Sequence, residues 1–359
     1  MWLSKLKVQN CRIIKEATVE FNPHINYIYG SNGSGKTSLL EAISIISLGR
    51  SFRTARISEV ISYGEDSILC TSTVESSSSS EKHIGVEKTV SSTNIRVNRQ
   101  TIQSQAQLSK LLPVSIIHPS SHELISGGSV KRRRFIDWVA FYKFPEFHNL
   151  WKRYQAILKQ RNAALKNPKL FYALEHLTYE LSKLQAPIHE LRNEALKGII
   201  ETISVTIPSF LIKQAPDLSL QTGLPSEVGL DTESIVNYYN SKLAQDKKRG
   251  RTLKGIHAAD ALILLNSKPA SSSASRGQTK ILSLVLHIAQ NITIGQHGVI
   301  AIDDLAAEID KKNYQKLIDF IPELERQVFI TGTHKVEKGI TNASMFHVKH
   351  GSINLSHNK

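Results

Sequence analysis

Over the first hundred residues short apolar runs alternate with polar turns, in LKVQ, ATVEF, INYIYG, SILCTSTV, HIGVEKTV and NIRVN. That two-residue rhythm predicts strands. One stretch breaks it: Leu39, Leu40, Ile43 and Ile46 recur at helical spacing between Ser38 and Leu48, and Gly49 is placed to stop the helix. The serine run Ser76 to Ser80 reads as a hairpin tip or loop and is assigned no function.

From about Lys131 to Ile207 the period changes. Trp138, Phe141, Trp151, Tyr154, Ile157, Leu158, Leu165, Leu174, Leu177, Leu181, Leu184, Leu191 and Leu196 fall at spacings near three, four and seven, with charged residues between them. These are amphipathic helices, with breaks expected at Pro145, Pro168 and Pro187. The four aromatic residues share the helical period and belong to a core rather than to a base-stacking platform. Strand and helix-strand patterning returns from about Thr252, in LKGIHAADALIL, ILSLVLHIAQ, GVIAIDD and RQVFITGTH. The pattern predicts an α/β domain in two parts, residues 1–115 and 252–359, around a mostly helical inserted lobe at 116–251.

The 359 residues allow about two domains at roughly 150 residues each, and 40% hydrophobic residues suffice for a large core. Cys11 and Cys70 form no metal-type or disulfide-type spacing, which excludes a disulfide-stapled chain and fits a reducing compartment. No run approaches the roughly 18 apolar residues of a membrane helix, and the start lacks the continuous apolar stretch of a secretory signal. A cytoplasmic protein without membrane attachment is expected. The charge changes the picture more: 45 Lys and Arg against 31 Asp and Glu leave +14, which favours a polyanionic partner.

Three segments carry candidate chemistry. Gly30-Ser31-Asn32-Gly33-Ser34-Gly35-Lys36-Thr37, followed by Ser38, fits the G-x-x-x-x-G-K-[ST] phosphate loop between a strand and a helix. Its backbone N–H groups would face phosphate oxygens, Lys36 would meet the β and γ phosphates of ATP, and the Thr37 hydroxyl would face Mg²⁺. Such a site needs a carboxylate at the end of another strand. Val299-Ile300-Ala301-Ile302 supplies the strand, Asp303 the metal-side acid, and Asp304 a group to orient or deprotonate the attacking water. Lys36, Asp303 and Asp304 are therefore the candidate catalytic set. The third segment, Ser275-Arg276-Gly277-Gln278, heads an apolar run and could present hydroxyl and N–H groups to an anion.

Together these motifs resemble the ABC-type P-loop ATPase heads related to SMC proteins, and within them the RecF family of bacterial DNA repair proteins. The resemblance spans nearly the whole chain and includes LGRSFRT (Leu48 to Thr54), GGSVKRRRFIDW (Gly127 to Trp138), LKQRNAAL (Leu158 to Leu165), GIHAADALI (Gly255 to Ile263) and DDLAAEID (Asp303 to Asp310). It implies an ABC-type head with a helical lobe, in which ATP lies between two subunits. Ser275, Gly277 and Gln278 would then act in trans on a γ-phosphate held by the other copy's Lys36. The resemblance also places Asp310 at that interface, Arg12 near the nucleotide, and His334 as a switch histidine at the γ-phosphate. Ile256 and Ala258 depart from the family pattern, in which proline and a basic side chain are usual. Asp304, where many ABC proteins have glutamate, is shared with the RecF family and implies slow turnover.

Between Lys131 and Lys169 eleven Lys and Arg stand against Asp137 and Glu146, a local excess of +9. Lys131, Arg132, Arg133 and Arg134 open this stretch, and a second cluster, without an acid, holds Lys247, Lys248, Arg249, Arg251 and Lys254, of which the first three are the candidate contacts. Such clusters meet phosphate backbones without reading bases. The expected function is an ATP-dependent DNA-binding protein of recombinational repair and replication-fork maintenance, a weak DNA-dependent ATPase that dimerises on ATP. DNA duplexes and single-strand junctions are the expected substrates, and RecR and RecO are partners implied by the resemblance. A transporter motor subunit and a nucleotide-gated scaffold are the alternatives.

Overall fold

The computed structural model describes residues 1–76, 80–209, 211–212, 215–295, 298–305, 309–335 and 342–356. Three of the serines in the run at 76–80 lie outside the described residues. The chain divides into two compact units, one of Met1–Ser121, Ile207–Lys213 and Arg276–Lys359, the other of His122–Thr206 and Gln214–Ser275.

The first unit holds two sheets. The outer one is antiparallel, in the order β2-β1-β4-β5-β6-β7, with β1 Trp2–Cys11, β2 Ile14–Glu20, β4 Ser67–Glu75, β5 Lys82–Thr89, β6 Thr93–Val97 and β7 Gln100–Ile102. The other runs β15-β14-β3-β13-β12-β8, with β3 Ile25–Tyr29, β8 Val114–Ile117, β12 Val299–Ile302, β13 Val328–Gly332, β14 Ala343–Lys349 and β15 Ser352–Ser356. Its five inner pairings include four parallel ones, and only β15 runs antiparallel. Val299 to Ile302 are all buried, as the continuous apolar run of a strand covered on both faces requires.

Helix α1, Lys36–Leu48, ends at Gly49, whose left-handed backbone lets its N–H reach the Ile45 carbonyl. One apolar face was expected; in fact Ser38, Glu41, Ser44 and Ser47 are buried as well. The reason is that α1 shares one core with both sheets: Leu39, Ile43 and Ile46 lie in the same cluster as Leu6, Cys70 and Ile84 of the outer sheet and Ile28, Ala301 and Phe329 of the inner one. Phe21 closes the cluster edge-on against Phe329 and Phe346, at 4.9 and 5.6 Å. Both cysteines are free and buried.

The second unit consists of helices α2 Ser129–Lys143, α3 Phe147–Lys166, α4 Leu174–Lys183, α5 Gln185–Thr206, α6 Thr232–Ser241 and α7 Leu243–Arg249, with a small sheet of β9 Asp217–Gln221, β10 Asp260–Leu265 and β11 Lys268–Pro269. Pro145 and Pro168 fall between helices as expected, whereas Pro187 sits in the first turn of α5, where no N–H is needed. Tyr154 is fully buried, and Trp151 stacks on it at 5.5 Å. The second boundary moves from the expected 252 to Arg276, because β10 pairs with β9 and not with the parallel sheet.

Two arginines, one of them bonded to the GIHAAD stretch, tie the helices of this unit together. Arg192 of α5 binds Asp137 of α2 through two bonds, at 2.7 and 3.0 Å, donates to the Ile256 carbonyl at 2.7 Å, and lies 4.6 Å above the Trp151 ring. Arg161 of α3 is fully buried and meets Asp246 at 2.9 Å, Thr252 at 2.6 Å and Thr178 at 3.0 Å. A buried guanidinium is tolerable only when so surrounded. Among the described residues no helix is long and apolar enough to cross a membrane.

His257 supplies a pH-dependent part of this network. Its Nε2–H donates to the Thr252 carbonyl at 3.2 Å, so Nδ1 accepts the Tyr154 hydroxyl at 2.7 Å, and burial pushes its pKa down to about 4. Protons therefore bind the unfolded chain first as the pH falls below 6.5. Stability from the neutral ring is present above that value and is lost towards pH 4, by up to about 1.4 kcal/mol per unit. His257→Gln, which cannot titrate, should show a flatter fall in unfolding free energy between pH 7 and 4.5 than the parent chain, measured by urea denaturation; parallel curves would contradict this.

Candidate nucleotide site and basic surfaces

The parallel register sets the site. Gly332 at the end of β13 lies beside Tyr29, and Ile302 at the end of β12 lies between Ile330 and Ile117. The loops after β3, β12 and β13 therefore leave the same edge of the sheet, the edge at which open α/β sheets bind ligands. After β3 the chain turns through Gly30 and Gly35. A Cβ on Gly30 would stand 2.2 Å from the Val348 carbonyl oxygen, and Gly35 has a φ of +116°, so neither position accepts a side chain. Ser31, Asn32 and Gly33 form the exposed rim, while Ser34, Lys36 and Ser38 are buried. The first turn of α1 contains no acid, leaving its amide dipoles free for an anion.

Lys36 donates to the Gly30 and Ser31 carbonyls at 2.8 and 3.0 Å, folding back over its own loop. Burial pulls its pKa down, and the charges of Asp304 and Asp303 oppose that. The Thr37 hydroxyl donates to Asp303 at 3.0 Å, so the two residues expected to face one metal ion are brought together across 266 positions of sequence. Burial pushes the Asp303 carboxyl above its ordinary pKa, with bonds from Thr331 and Thr37 and the charge of Arg53 acting in the opposite direction. A desolvated carboxylate beside a hydroxyl is a hard oxygen pair that suits Mg²⁺. The buried Ser34 hydroxyl has no hydrogen-bond partner among the described residues, an open valence inside the phosphate loop. The residues thus fit Mg-ATP.

Asp304 follows in a left-handed backbone conformation, φ +54°, unusual for a residue with a side chain and found at functional sites. Thr331 explains how it is held. This buried residue of β13, the strand that separates β3 from β12, donates its hydroxyl to Asp303 at 2.8 Å and accepts the Asp304 N–H at 2.8 Å. The sequence reading passed over it; the signal was a lone hydroxyl at the end of the apolar run VFI.

Glu41 was passed over too. It is fully buried one turn beyond Thr37 and binds both Nε and Nη2 of Arg12, the latter at 3.0 Å. It also accepts the Ser51 hydroxyl at 2.6 Å and has Arg53 at 3.7 Å. Arg12, itself at φ +52°, is fixed further by the Glu59 carbonyl at 2.7 Å. A lone acid in an otherwise apolar helix was the available signal. His334 is exposed just beyond β13, its carbonyl accepting the Tyr27 hydroxyl at 3.1 Å. Asp310 caps the helix Lys311–Phe320 through the N–H groups of Lys312 and Asn313; Ala306 to Glu308 lie outside the described residues.

Ser275, Gly277 and Gln278 are exposed at the head of the helix Arg276–Thr293. A side chain on Gly277 would meet nothing within 4 Å.

The basic stretch divides. Arg132 binds Asp260 of β10 through two bonds, at 2.7 and 2.9 Å, and Arg133 donates to the Ala259 carbonyl and to Ser129. Both were expected on a DNA surface; both side chains are taken up in holding α2 to the GIHAAD segment. Lys131 pairs with Glu123 at 2.8 Å, Arg153 with Glu180, and Arg161 with Asp246. The acids that neutralise these groups lie outside Lys131 to Lys169, so the local excess of +9 overstates the free charge. Arg134, Lys248 and Arg249 are exposed, as are Lys152, Lys159 and Lys166 at seven-residue spacing on α3. Lys247 packs 3.8 Å above the Phe171 ring.

A phosphate loop on α1, a carboxylate pair after β12 and an exposed signature at a helix head define an ABC-type ATPase head. The model of the RecF/RecN/SMC N terminal domain family matches residues 2–354. The chain belongs to that family, and within it to RecF. It is 34% identical to the DNA replication and repair protein RecF of Psychromonas ingrahamii, over 99% of this chain and 100% of that one, and 32% identical to that of Thioalkalivibrio sulfidiphilus, over 99% of each. A solved structure of the recombination mediator protein RecF with ATP, from the RecFOR pathway, superposes with a TM-score of 0.86 at 26% identity, over 99% of this chain and 98% of that one. An Smc head bound to the C-winged helix domain of ScpA shares the fold alone, at a TM-score of 0.59 and 15% identity over 99% of this chain and 97% of that one.

Thr331→Val keeps the shape of a buried side chain but removes both bonds to the acid pair. Leaving those groups unpaired costs about 1–3 kcal/mol at the site. ATP turnover should fall at least about tenfold, with the far-ultraviolet circular dichroism unchanged; unaltered turnover would show that Thr331 does not set the acids.

Proposed function

We propose that this chain is an ATP-dependent DNA-binding protein of recombinational repair and replication-fork maintenance, acting in the cytoplasm. ATP binding drives two copies together on DNA, and slow Mg²⁺-dependent hydrolysis releases them. The exposed signature carries this reading. Ser275, Gly277 and Gln278 are exposed at a helix head, where they can close on a γ-phosphate held by Lys36 of a second copy. Gly30 to Ser38 bind the phosphates, Arg12 and His334 flank them, and Asp304 orients the attacking water. The aspartate side chain is one methylene shorter than glutamate, which supports slow rather than rapid turnover. Thr37 and Asp303 would hold Mg²⁺, which supplies charge neutralisation at the β and γ phosphates.

DNA contacts fall to the exposed Arg134, Lys248 and Arg249 and the α3 lysines, joined by Lys131 and Lys247, whose contacts with Glu123 and the Phe171 ring a phosphate can replace. Arg132 and Arg133 support that surface by fixing α2. Duplexes and single-strand junctions are the proposed substrates, and RecR and RecO the proposed protein partners, in line with the RecFOR pathway in which the similar solved structure takes part. Two copies double the phosphate contacts, which couples nucleotide state to DNA affinity. A transporter motor finds no support among the relatives named above.

Light scattering with and without ATP and a 30-base-pair duplex, a length of about three helical turns, tests the whole reading. A dimer should form with ATP and persist with Asp304→Asn, and should fail with Lys36→Ala or Ser275→Arg; a dimer indifferent to these changes would overturn the trans-signature arrangement. Reversing Arg134, Lys248 and Arg249 to glutamate should weaken duplex binding about tenfold or more and flatten its salt dependence. Arg132→Glu should instead destabilise the fold by about 3 kcal/mol, because it leaves Asp260 facing a like charge. Normal stability with lost DNA binding in Arg132→Glu would reverse that assignment.

A further inference from the structure

The outer face of the antiparallel sheet carries a feature that neither the nucleotide site nor the helical unit explains. Strand register lines up two rows of outward side chains. One runs Thr18, Lys7, Thr71, Gly85, Arg96, and the other Glu20, Lys5, Thr73, His83. Gly85 leaves the middle of the first row without a side chain; even an added Cβ would touch only the Thr71 methyl, at 3.8 Å. The result is a hollow of about 580 Å³ lined by Lys5, Lys7, Thr71, Thr73, Arg96 and Arg99 among others, with no acid among the described residues of its lining. Lysines on β1 form one bank and arginines on β6 and its turn form the other. The banks lie three strand spacings apart, roughly 14 Å.

The charges differ in availability. Arg96 and Arg99 are exposed and, among the described residues, their side chains have no hydrogen bond or ion pair. Arg99 sits with Asn98 in a turn where both residues have positive φ, which fixes it at the rim. Lys5 and Lys7 pair at 2.8 Å with Glu20 and Glu16 of the neighbouring edge strand, on exposed surface where such pairs contribute little and exchange readily.

We infer that this hollow binds the phosphodiester backbone of duplex DNA, as a second contact surface separate from the helical unit. The inference rests on the DNA reading above and extends it to the sheet. Lysine, arginine and threonine hydroxyls are the groups that meet phosphate oxygens. Among the described residues no Phe, Tyr or Trp lines the hollow and His83 supplies its one ring, so unpaired bases would find little to stack on, and a backbone whose bases are already paired is the better fit. Contacts of this kind read no sequence.

The test uses the full chain with ATP and a 30-base-pair duplex, titrated from 50 to 200 mM salt, the range over which phosphate contacts register most clearly. Arg96→Glu with Arg99→Glu should weaken binding at least about tenfold and lower the log–log salt slope by about two, at unchanged ATP affinity and melting temperature. Gly85→Val, which fills the floor and leaves every charge in place, should also weaken binding. Glu16→Gln with Glu20→Gln should strengthen it by freeing the lysines, a gain that a merely structural role would not give. If the parent chain binds duplex and these variants bind with the same affinity and slope, the inference is overturned while the DNA reading stands. If the arginine variant loses affinity for a polyglutamate peptide but not for duplex, the face takes an acidic protein segment and the inference is overturned in that direction. A parent chain that binds no duplex at all would remove both.

Discussion

Everything at the nucleotide site depends on holding one carboxylate out of water. Asp303 is buried at the end of β12, and burial alone would favour its neutral form. Two hydroxyls hold it in the ionised geometry, Thr37 from the phosphate loop and Thr331 from the intervening strand. Since β13 lies between the strands that carry the loop and the acid, no direct backbone pairing joins those two strands. The hydroxyl of Thr37 makes the connection, while that of Thr331 steadies Asp303 from the strand between and, by accepting the Asp304 N–H, fixes the second acid in a backbone conformation that aspartate alone would rarely adopt. A desolvated carboxylate beside the hydroxyl of the phosphate loop is the physical ground on which the proposed Mg²⁺ and phosphate site rests.

A second buried carboxylate, Glu41, organises the other flank. It gathers Arg12, Ser51 and, more loosely, Arg53 around the first turns of α1. Arg53 acts electrostatically on Asp303 as well. Cations on this flank are thus held by an acid that the core keeps dry, and the helix that presents the phosphate loop also presents their anchor. Because α1 is packed between two sheets, its position and that of both acids are set by the same core.

The helical unit follows the opposite logic. Its arginines are largely structural, since Arg132, Arg161 and Arg192 are each paired with an aspartate distant in sequence. The GIHAAD segment, which departs from the family pattern at Ile256 and Ala258, meets Arg192 and Arg133 through backbone carbonyls and Arg132 through Asp260, so these contacts depend on neither of the departing side chains. Charge left for a polyanion lies on exposed helix faces and on the outer sheet.

Local signals settled a good deal on their own. Alternation fixed β1, β2 and β4 to β6, because each of these strands has one buried and one wetter face; glycine spacing fixed the phosphate loop, because Gly30 and Gly35 tolerate nothing else. The apolar run before Asp303 fixed a buried strand ending in an acid. Tertiary structure alone decided three things. It assigned β10 to the helical unit, since a strand pattern does not say which sheet it joins. It found Thr331 and Glu41, whose roles exist only once β13 and α1 are packed against their neighbours. It also sorted the positive charge, because a count along the chain treats Arg161 and Arg134 alike. One is enclosed by Asp246, Thr178 and Thr252, the other faces solvent, and only packing brings an acid from 85 residues away to make that difference.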